Sequence, residues 1–113
     1  MSLSDEQAAF LLDVCKLVPF ATNLGFKVTG GELQRTQVQQ EIYVKTGKSK
    51  TMNSNHLKKL AIDLNFIKNG QLIYDKEELA PIGAYWESLN SKNRWGGNFK
   101  TFVDMPHFER HVP

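Results

Sequence analysis

Two histidines and one carboxylate are the residues of this chain best suited to hold a metal ion. His56 follows a loop-like stretch rich in Gly, Ser, Asn, Thr and Lys over residues 46–55, and His107 follows Pro106 near the end of the sequence. Asp63 lies among apolar residues, where an unpaired carboxylate carries a desolvation cost that a dication would offset. A hydrolytic zinc site takes three nitrogen or oxygen ligands and leaves a fourth position to water. These three residues are therefore sufficient for such a site.

The spacing of the three residues constrains where they lie. His56 and Asp63 are seven residues apart, an odd offset that would place them on opposite faces of one unbroken strand. We therefore expect His56 to precede the strand that carries Asp63. Ordinary alternatives remain open from spacing alone: a surface or hydrogen-bonded role for each histidine, and a solvent-facing position for Asp63. The third histidine, His111, is expected to be a bystander in a frayed terminus.

Asp104 is suited to acid and base chemistry beside a metal. It lies three residues before His107, and Pro106 restricts the backbone between them, so both side chains can approach one ion from a single turn. A carboxylate in that position can take a proton from water and pass it to a leaving amine. Arg35 could hold a substrate carboxylate or stabilise a developing oxyanion, although an exposed charge on the first turn of a helix is a serious competitor. Trp95, followed by two glycines, is assigned to the wall of a substrate groove in preference to a hydrophobic plug.

The elements that must position these residues follow from hydrophobic periodicity. Apolar residues at helical intervals predict a first helix over about 5–23, which would bury Cys15, and a third over about 77–90; a short second helix is expected over 37–45. Residues 26–29 and 60–67 read as strands, and Asn69-Gly70 predicts a hairpin turn into residues 71–74. Residues 93–98 read as a loop, and 99–103 as short and β-prone. The sequence thus predicts an α+β fold, with helices packed against a small antiparallel sheet.

Length and composition narrow the class of protein. The 113 residues, 41% of them hydrophobic and 23% charged, fit one globular domain, 1–113, with its own core. A single cysteine excludes an intramolecular disulfide and a thiolate zinc cluster. The acidic amino terminus lacks the pattern of a secretory signal, and no stretch reaches the ~20 apolar residues of a membrane span. We therefore expect synthesis in the cytoplasm and no membrane partner.

Basic residues cluster between positions 27 and 59. Seven basic residues there face two acidic ones, although the formal charge of the whole chain is only +2. Such a cluster attracts an anionic partner, which could be a nucleic acid, an acidic membrane or a carboxylate-bearing polymer. A nucleic-acid-binding module is therefore an alternative from a different functional class. The aromatic residues are not interleaved with the lysines as a base-stacking platform would require, so no nucleic-acid partner is assigned.

Four motifs in a fixed order carry a resemblance to a known family. They are Gly30-Gly31-Glu32-x-x-Arg35-Thr36 with Gln39, then Ser54-x-His56-x6-Asp63, then Trp95-Gly96-Gly97, and finally Asp104-x-Pro106-His107-Phe108-Glu109. Over about residues 30–109 the chain resembles the zinc peptidases of the D-Ala-D-Ala carboxypeptidase and hedgehog-fold superfamily. Within it, the pattern is most similar to the phage-type L-alanyl-D-glutamate endopeptidases that act as endolysins.

The resemblance implies specific roles. It assigns zinc to His56, Asp63 and His107 and catalysis to Asp104, and Arg35 matches the family's active-site arginine. Substrate contacts are expected from Arg35, Ser54 and Trp95. Glu109 is expected to orient a ligand, because metal-bound histidines usually require such a partner. Asp104 stands where many carboxypeptidases of the superfamily have Glu, which favours the endolysin branch. The implied substrate is the stem peptide of bacterial peptidoglycan, cut at L-Ala-D-Glu, with D-Ala-D-Ala carboxypeptidase activity as the alternative. A monomer that reaches the wall after release, through a separate pore if phage-encoded, is expected.

Overall fold

The computed structural model describes residues 2–31, 33–34, 36–47 and 55–112, which contain three α-helices. They are α1 (Leu3–Asn23), α2 (Gln37–Lys45) and α3 (Lys76–Leu89). Each begins after a side chain that accepts a hydrogen bond from a free backbone N–H of the first turn, namely Ser2, Thr36 and Asp75. None of these described helices has the length and apolar character of a membrane span.

Five strands form one antiparallel sheet. They are β1 (Lys27–Gly30), β2 (Ala61–Lys68), β3 (Gln71–Leu72), β4 (Asn93–Trp95) and β5 (His107–Arg110). The order across the sheet is β1, β2, β5, β4, and β3 pairs with the far end of β2. The turn between β2 and β3 has positive φ at both Asn69 and Gly70, as a two-residue hairpin of this kind requires. The α+β prediction and this hairpin are confirmed.

The hydrophobic core lies between the sheet and the two long helices. Its members come from α1, α3 and the sheet and include Phe10 and Leu17 of α1, Leu64 and Phe66 of β2, Trp86 of α3, and Phe108 of β5. The indole of Trp86 packs edge-on against Phe10 and Phe108, and its Nε1–H is shared between the carbonyls of Arg94 and Glu109. Trp86 of α3 therefore links β4 and β5, because its indole N–H contacts a backbone carbonyl of each strand.

Two sequence predictions about secondary structure are wrong. Residues 93–95 were expected to be a loop but form β4, and residues 99–103 were expected to be β-prone but form no strand. The strand lies instead at His107–Arg110, whose four residues are all buried. Alternation between apolar and polar residues cannot reveal such a strand, because charged residues at buried positions are satisfied here by partners from distant parts of the sequence.

Cys15 is also placed differently from the prediction, because it is exposed. The buried face of α1 contains Phe10, Val14, Leu17 and Ala21, and it also includes the polar residues Glu6 and Asp13. Glu6 pairs with Lys92 and Arg110, while Asp13 accepts a hydrogen bond from the side-chain amide of Asn93. The buried face of α1 therefore includes these two polar residues and leaves Cys15 outside it.

Candidate metal centre

His56 lies in a 3₁₀ turn, Asn55–Lys58, directly before β2. The expectation that it precedes the strand of Asp63 is confirmed. Helix α1 holds this turn, since the side-chain amide of Gln7 donates to the carbonyl of Lys58 at 2.8 Å. The ring is 2% exposed, and its Nδ1 lies 3.1 Å from the carbonyl of Leu33. A carbonyl can only accept, so this hydrogen bond places the proton on Nδ1 and leaves the Nε2 lone pair facing the centre.

Asp63 and His107 lie directly opposite each other on the paired strands β2 and β5. Sheet pairing therefore joins the end of the described chain to its middle. On the other side of β2, the backbone N–H of Gly31 donates to the carbonyl of Asp63 at 2.7 Å. Both neighbours of β2 thus fix the position of the Asp63 side chain.

The three side chains converge on one point. Oδ1 of Asp63 lies 3.4 Å from Nε2 of His56 and 3.6 Å from Nδ1 of His107, and all three atoms are within 4.8 Å of one another. Ligands at zinc distances of 2.0–2.2 Å in tetrahedral geometry are separated by roughly 3.3–3.6 Å. Oδ1 of Asp63 is buried and accepts no hydrogen bond from the described residues. Its environment and the donor set both fit a metal ion.

The ring nitrogen of His107 that faces away from Asp63 is hydrogen-bonded to Glu109. This atom, Nε2, lies 2.7 Å from Oε1 of Glu109, so the N–H on that side donates to the carboxylate and Nδ1 faces Asp63. Metal-bound histidines usually have such a partner, which fixes the tautomer and the ring orientation. The carboxylate of Glu109 is 6% exposed and also accepts from the guanidinium of Arg94. This geometry agrees with the orienting role expected of Glu109.

The charges of the centre depend on one another. Burial alone would lower the pKa of His107, but the nearby carboxylate of Asp63, the hydrogen bond to Glu109 and the negative charge of Asp104 raise that pKa to about 9. Burial alone would raise the pKa of Asp63, yet the imidazoles of His107 and His56 beside it lower that pKa well below its usual range. Burial likewise opposes ionisation of Glu109, whose pKa the contacts with His107 and Arg94 lower to about 2. The carboxylates are thus strongly held in their ionised forms.

Asp104 lies at the start of the turn that leads into β5. Its carbonyl accepts from the backbone N–H of His107 at 3.1 Å, and its own N–H donates to the carbonyl of Gly96 at 3.0 Å. The residue is partly buried, and its charge acts on His107. A single turn therefore carries both residues, as the Asp104-x-Pro106-His107 spacing predicted.

Trp95 does not form the wall of a groove, and that prediction is corrected. The indole is 1% exposed, stacks near Phe108 and donates from Nε1 to the carbonyl of Met105 at 2.8 Å. A Cβ added to Gly83 or Gly97 would lie within 2.3 Å of this ring. Gly97 therefore leaves room for the indole of Trp95 in the core and does not open a groove for a substrate.

Two predicted site residues, Arg35 and Ser54, lie outside the described residues. His111, expected to be a bystander, has an exposed side chain and contributes a backbone N–H to the carbonyl of Lys92. Arg94, which contacts Glu109, was not predicted from the sequence as a site residue. Arg94 and Glu109 are directly opposite each other on β4 and β5, but neither strand was predicted, so no sequence signal joined them.

Comparisons with known proteins agree with this geometry. The chain is 33% identical over 97 residues to an L-alanyl-D-glutamate peptidase of Listeria phage A118; the match covers 83% of this chain and 34% of the relative, so the chain spans about a third of that relative's length. The crystal structure of the L-Ala D-Glu endopeptidase ChiX from Serratia marcescens has the same fold, with a TM-score of 0.70 at 23% identity over 96% of this chain and 85% of that chain.

The family model described as D-alanyl-D-alanine carboxypeptidase matches residues 47–110, more than half of the chain. The matched region contains all three converging side chains of the candidate metal centre, as well as Asp104 and Glu109. The chain belongs to the D-alanyl-D-alanine carboxypeptidase family of peptidases.

Proposed function

We propose that this chain is a zinc-dependent peptidase that hydrolyses the stem peptides of bacterial peptidoglycan. The observation that carries the proposal is the convergence of Nε2 of His56, Oδ1 of Asp63 and Nδ1 of His107 within 4.8 Å, with Asp104 on the adjoining turn. Two imidazoles and one carboxylate are a common ligand set of hydrolytic zinc, and they leave a position open for the reaction. The monomeric chain would act at the cell wall, outside the compartment in which it is made.

The protein's own residues divide the work of hydrolysis. When bound, zinc supplies Lewis acidity, which lowers the pKa of water towards 7 and polarises a carbonyl. Asp104 accepts one proton from the attacking water, whose oxygen adds to the scissile carbonyl carbon. The same carboxyl then delivers that proton to the departing amine as the C–N bond breaks. Asp104 ends the cycle ionised, and the products are a new amine and a new carboxyl group, which loses the second proton of the water to the amine or to solvent.

The bond between L-Ala and D-Glu is the proposed target. Support comes from the phage relative, an L-alanyl-D-glutamate peptidase, and from the structurally similar L-Ala D-Glu endopeptidase of Serratia marcescens. Asp at position 104 also favours this branch over the carboxypeptidases that have Glu there. Arg35, whose planar fork suits a carboxylate, would bind the D-glutamate side of the substrate or stabilise the oxyanion, and Ser54 would contact the substrate nearby. Cleavage of D-Ala-D-Ala remains the second candidate, because the matching family model carries that description.

Metal binding tests the proposal most simply. We expect about one zinc per chain in the purified protein, and a chelator should abolish digestion of peptidoglycan until zinc is restored. The variants His56→Ala, Asp63→Ala and His107→Ala should each bind zinc more weakly than the wild type. His111→Ala is the matched control, since its exposed side chain is not in the metal cluster. Full activity of metal-free protein would refute the proposal.

A further inference from the structure

Arg94 lies on β4 with about half of its side chain exposed, yet it contacts two residues that touch His107. Its guanidinium donates from both Nε and Nη2 to Oε2 of Glu109, with the Nε contact at 2.8 Å. Its Cζ lies 5.8 Å from the centre of the Phe99 ring. An exposed arginine is commonly a solvated charge, but these two contacts direct this one towards the metal centre.

The two oxygens of Glu109 have separate partners. Oε2 accepts from Arg94, and Oε1 accepts from Nε2 of His107 at 2.7 Å. Because the guanidinium engages one oxygen with two N–H groups, rotation of the carboxylate would break both of these bonds at once. Arg94 therefore fixes the direction in which Oε1 points, and with it the side of the His107 ring that carries the proton.

Phe99 supports the same ring from another direction. Its ring centre lies 5.7 Å from that of His107, at an angle of 55° between the planes. The guanidinium of Arg94 lies on the ring of Phe99 at a distance suited to a cation–π contact. Both groups that restrain His107 are thus themselves restrained by one side chain.

We propose that Arg94 is a positioning residue for the metal centre, which orients the ligand His107 through Glu109 and Phe99. The proposal rests on the proposed function only in that the centre takes zinc. Arg94 acts on His107 through Glu109 and Phe99, so we class it as a positioning residue and not as a catalytic one. Partners that orient a metal-bound histidine typically contribute 10- to 100-fold to metal affinity, and Arg94 acts one contact further out.

Lys92 offers a matched control two residues away. It is 40% exposed, and its Nζ donates to the buried carboxylate of Glu6 at 3.0 Å. Both cations therefore pair a partly exposed side chain with a buried carboxylate, but Glu6 is on α1 and has no contact with the metal ligands among the described residues. Removing either charge should affect stability through the same physical mechanism, whereas only Arg94 should affect the metal.

The experiment compares zinc dissociation constants, measured by competition with a chromogenic chelator, for the wild type, Arg94→Met, Arg94→Lys and Lys92→Met. A second readout follows exchange of the His107 Nε2 proton with solvent in the zinc-loaded proteins by nitrogen-15 NMR. We expect Arg94→Met to bind zinc about 10-fold more weakly and to exchange this proton faster. The zinc affinity and the proton exchange rate of Arg94→Lys should lie between those of Arg94→Met and the wild type, because a single ammonium cannot replace the two-point contact. Lys92→Met should match the wild type in both readouts.

The outcomes separate this inference from the proposed function. If the wild type binds zinc but Arg94→Met binds it equally tightly, or if its Nε2 proton exchanges no faster, the positioning role is wrong and the peptidase proposal stands. Equal loss of zinc affinity in Lys92→Met would likewise overturn the role, because it would reveal a general effect of stability. A wild type that binds no zinc would overturn both proposals.

Discussion

The carbonyl of Gly96 accepts the backbone N–H of Asp104 at 3.0 Å, and a Cβ added to Gly96 would lie 2.0 Å from the carbonyl oxygen of Asp104. The same Cβ would lie 2.9 Å from Cβ of His107. The backbone N–H of Phe99 donates to the Gly96 carbonyl as well, at 3.2 Å. The loop that carries the proposed catalytic carboxylate of Asp104 therefore packs directly against Gly96, and this packing requires that residue 96 has no side chain.

We expect Gly96→Ala to destabilise the protein and to weaken zinc binding. The obstructing atom belongs to the backbone, so a rotamer change cannot relieve the clash, and the turn that carries Asp104 and His107 must move. Overpacking of this kind typically costs about 1–3 kcal/mol or more in the free energy of unfolding, which urea titration measures. Gly30→Ala is the control, because nothing lies within 4 Å of its added Cβ. Wild-type stability and zinc affinity in Gly96→Ala would show that the loop is not packed as described.

Replacement of Asp104 separates catalysis from metal binding. Asn has nearly the shape of Asp but cannot accept a proton at neutral pH, so Asp104→Asn should fold and bind zinc like the wild type while turnover falls by ~10²–10⁴-fold. Zinc titration and peptidoglycan turnover on the same preparation provide the measurement. Clear loss of zinc, with activity partly restored by excess metal, would instead identify Asp104 as a fourth ligand.

The role of Arg35 is tested by a substitution that keeps its charge. A lysine lacks the planar fork that grips a carboxylate or an oxyanion, so Arg35→Lys should reduce turnover of peptidoglycan fragments. Zinc content and the free energy of unfolding should stay near their wild-type values, because Arg35 is not proposed as a ligand. Unchanged kinetics in the lysine variant would mean that Arg35 is only a surface charge.

Acid should weaken the fold in part through Glu6. Hydrogen bonds from Arg110 and Lys92 to this buried carboxylate lower its pKa from 4.5 to about 2. A lowered pKa stabilises the folded state above the unfolded value, and this contribution is lost as the pH falls from about 4.5 towards 2. The difference in stability between the wild type and Glu6→Gln should therefore be largest above pH 4.5 and shrink below it. A difference that stays constant from pH 6 to pH 2, in urea titrations, would contradict this assignment.

The parts of the structure that sequence could predict are those set by local pattern. The periodicity of α1 and α3 and the Asn69-Gly70 turn depend on neighbouring residues, and the residue ranges of these elements differ from the predictions by at most two positions for the helices. The convergence of His56, Asp63 and His107 was only partly predictable. Residue chemistry made all three candidates and the odd spacing placed His56 before the strand, but their assignment to one site came from the family resemblance. Register between β2 and β5 is what brings these side chains together.

Long-range polar pairing is the part that the sequence could not reveal. Buried Glu6 is satisfied by Arg110, 104 residues away, and buried Asp13 by Asn93, 80 residues away. Because such pairs bury polar residues, hydrophobic periodicity wrongly predicted that Cys15 is buried and did not reveal β5. Trp95 was misassigned for a related reason, because its partner Gly83 lies on α3 and gives no local sign of the cavity that the indole fills.

Mass spectrometry of a peptidoglycan digest tests the central claim most directly. Purified peptidoglycan is incubated with zinc-loaded protein, with the same protein plus chelator, and with Asp104→Asn. We predict new fragments with D-Glu at the free amino terminus, matched by wall fragments that end in L-Ala, only in the first incubation. Release of a terminal D-Ala alone would instead identify the protein as a D-Ala-D-Ala carboxypeptidase. If zinc-loaded protein yields no new peptide termini, the account of this chain as a cell-wall peptidase is contradicted.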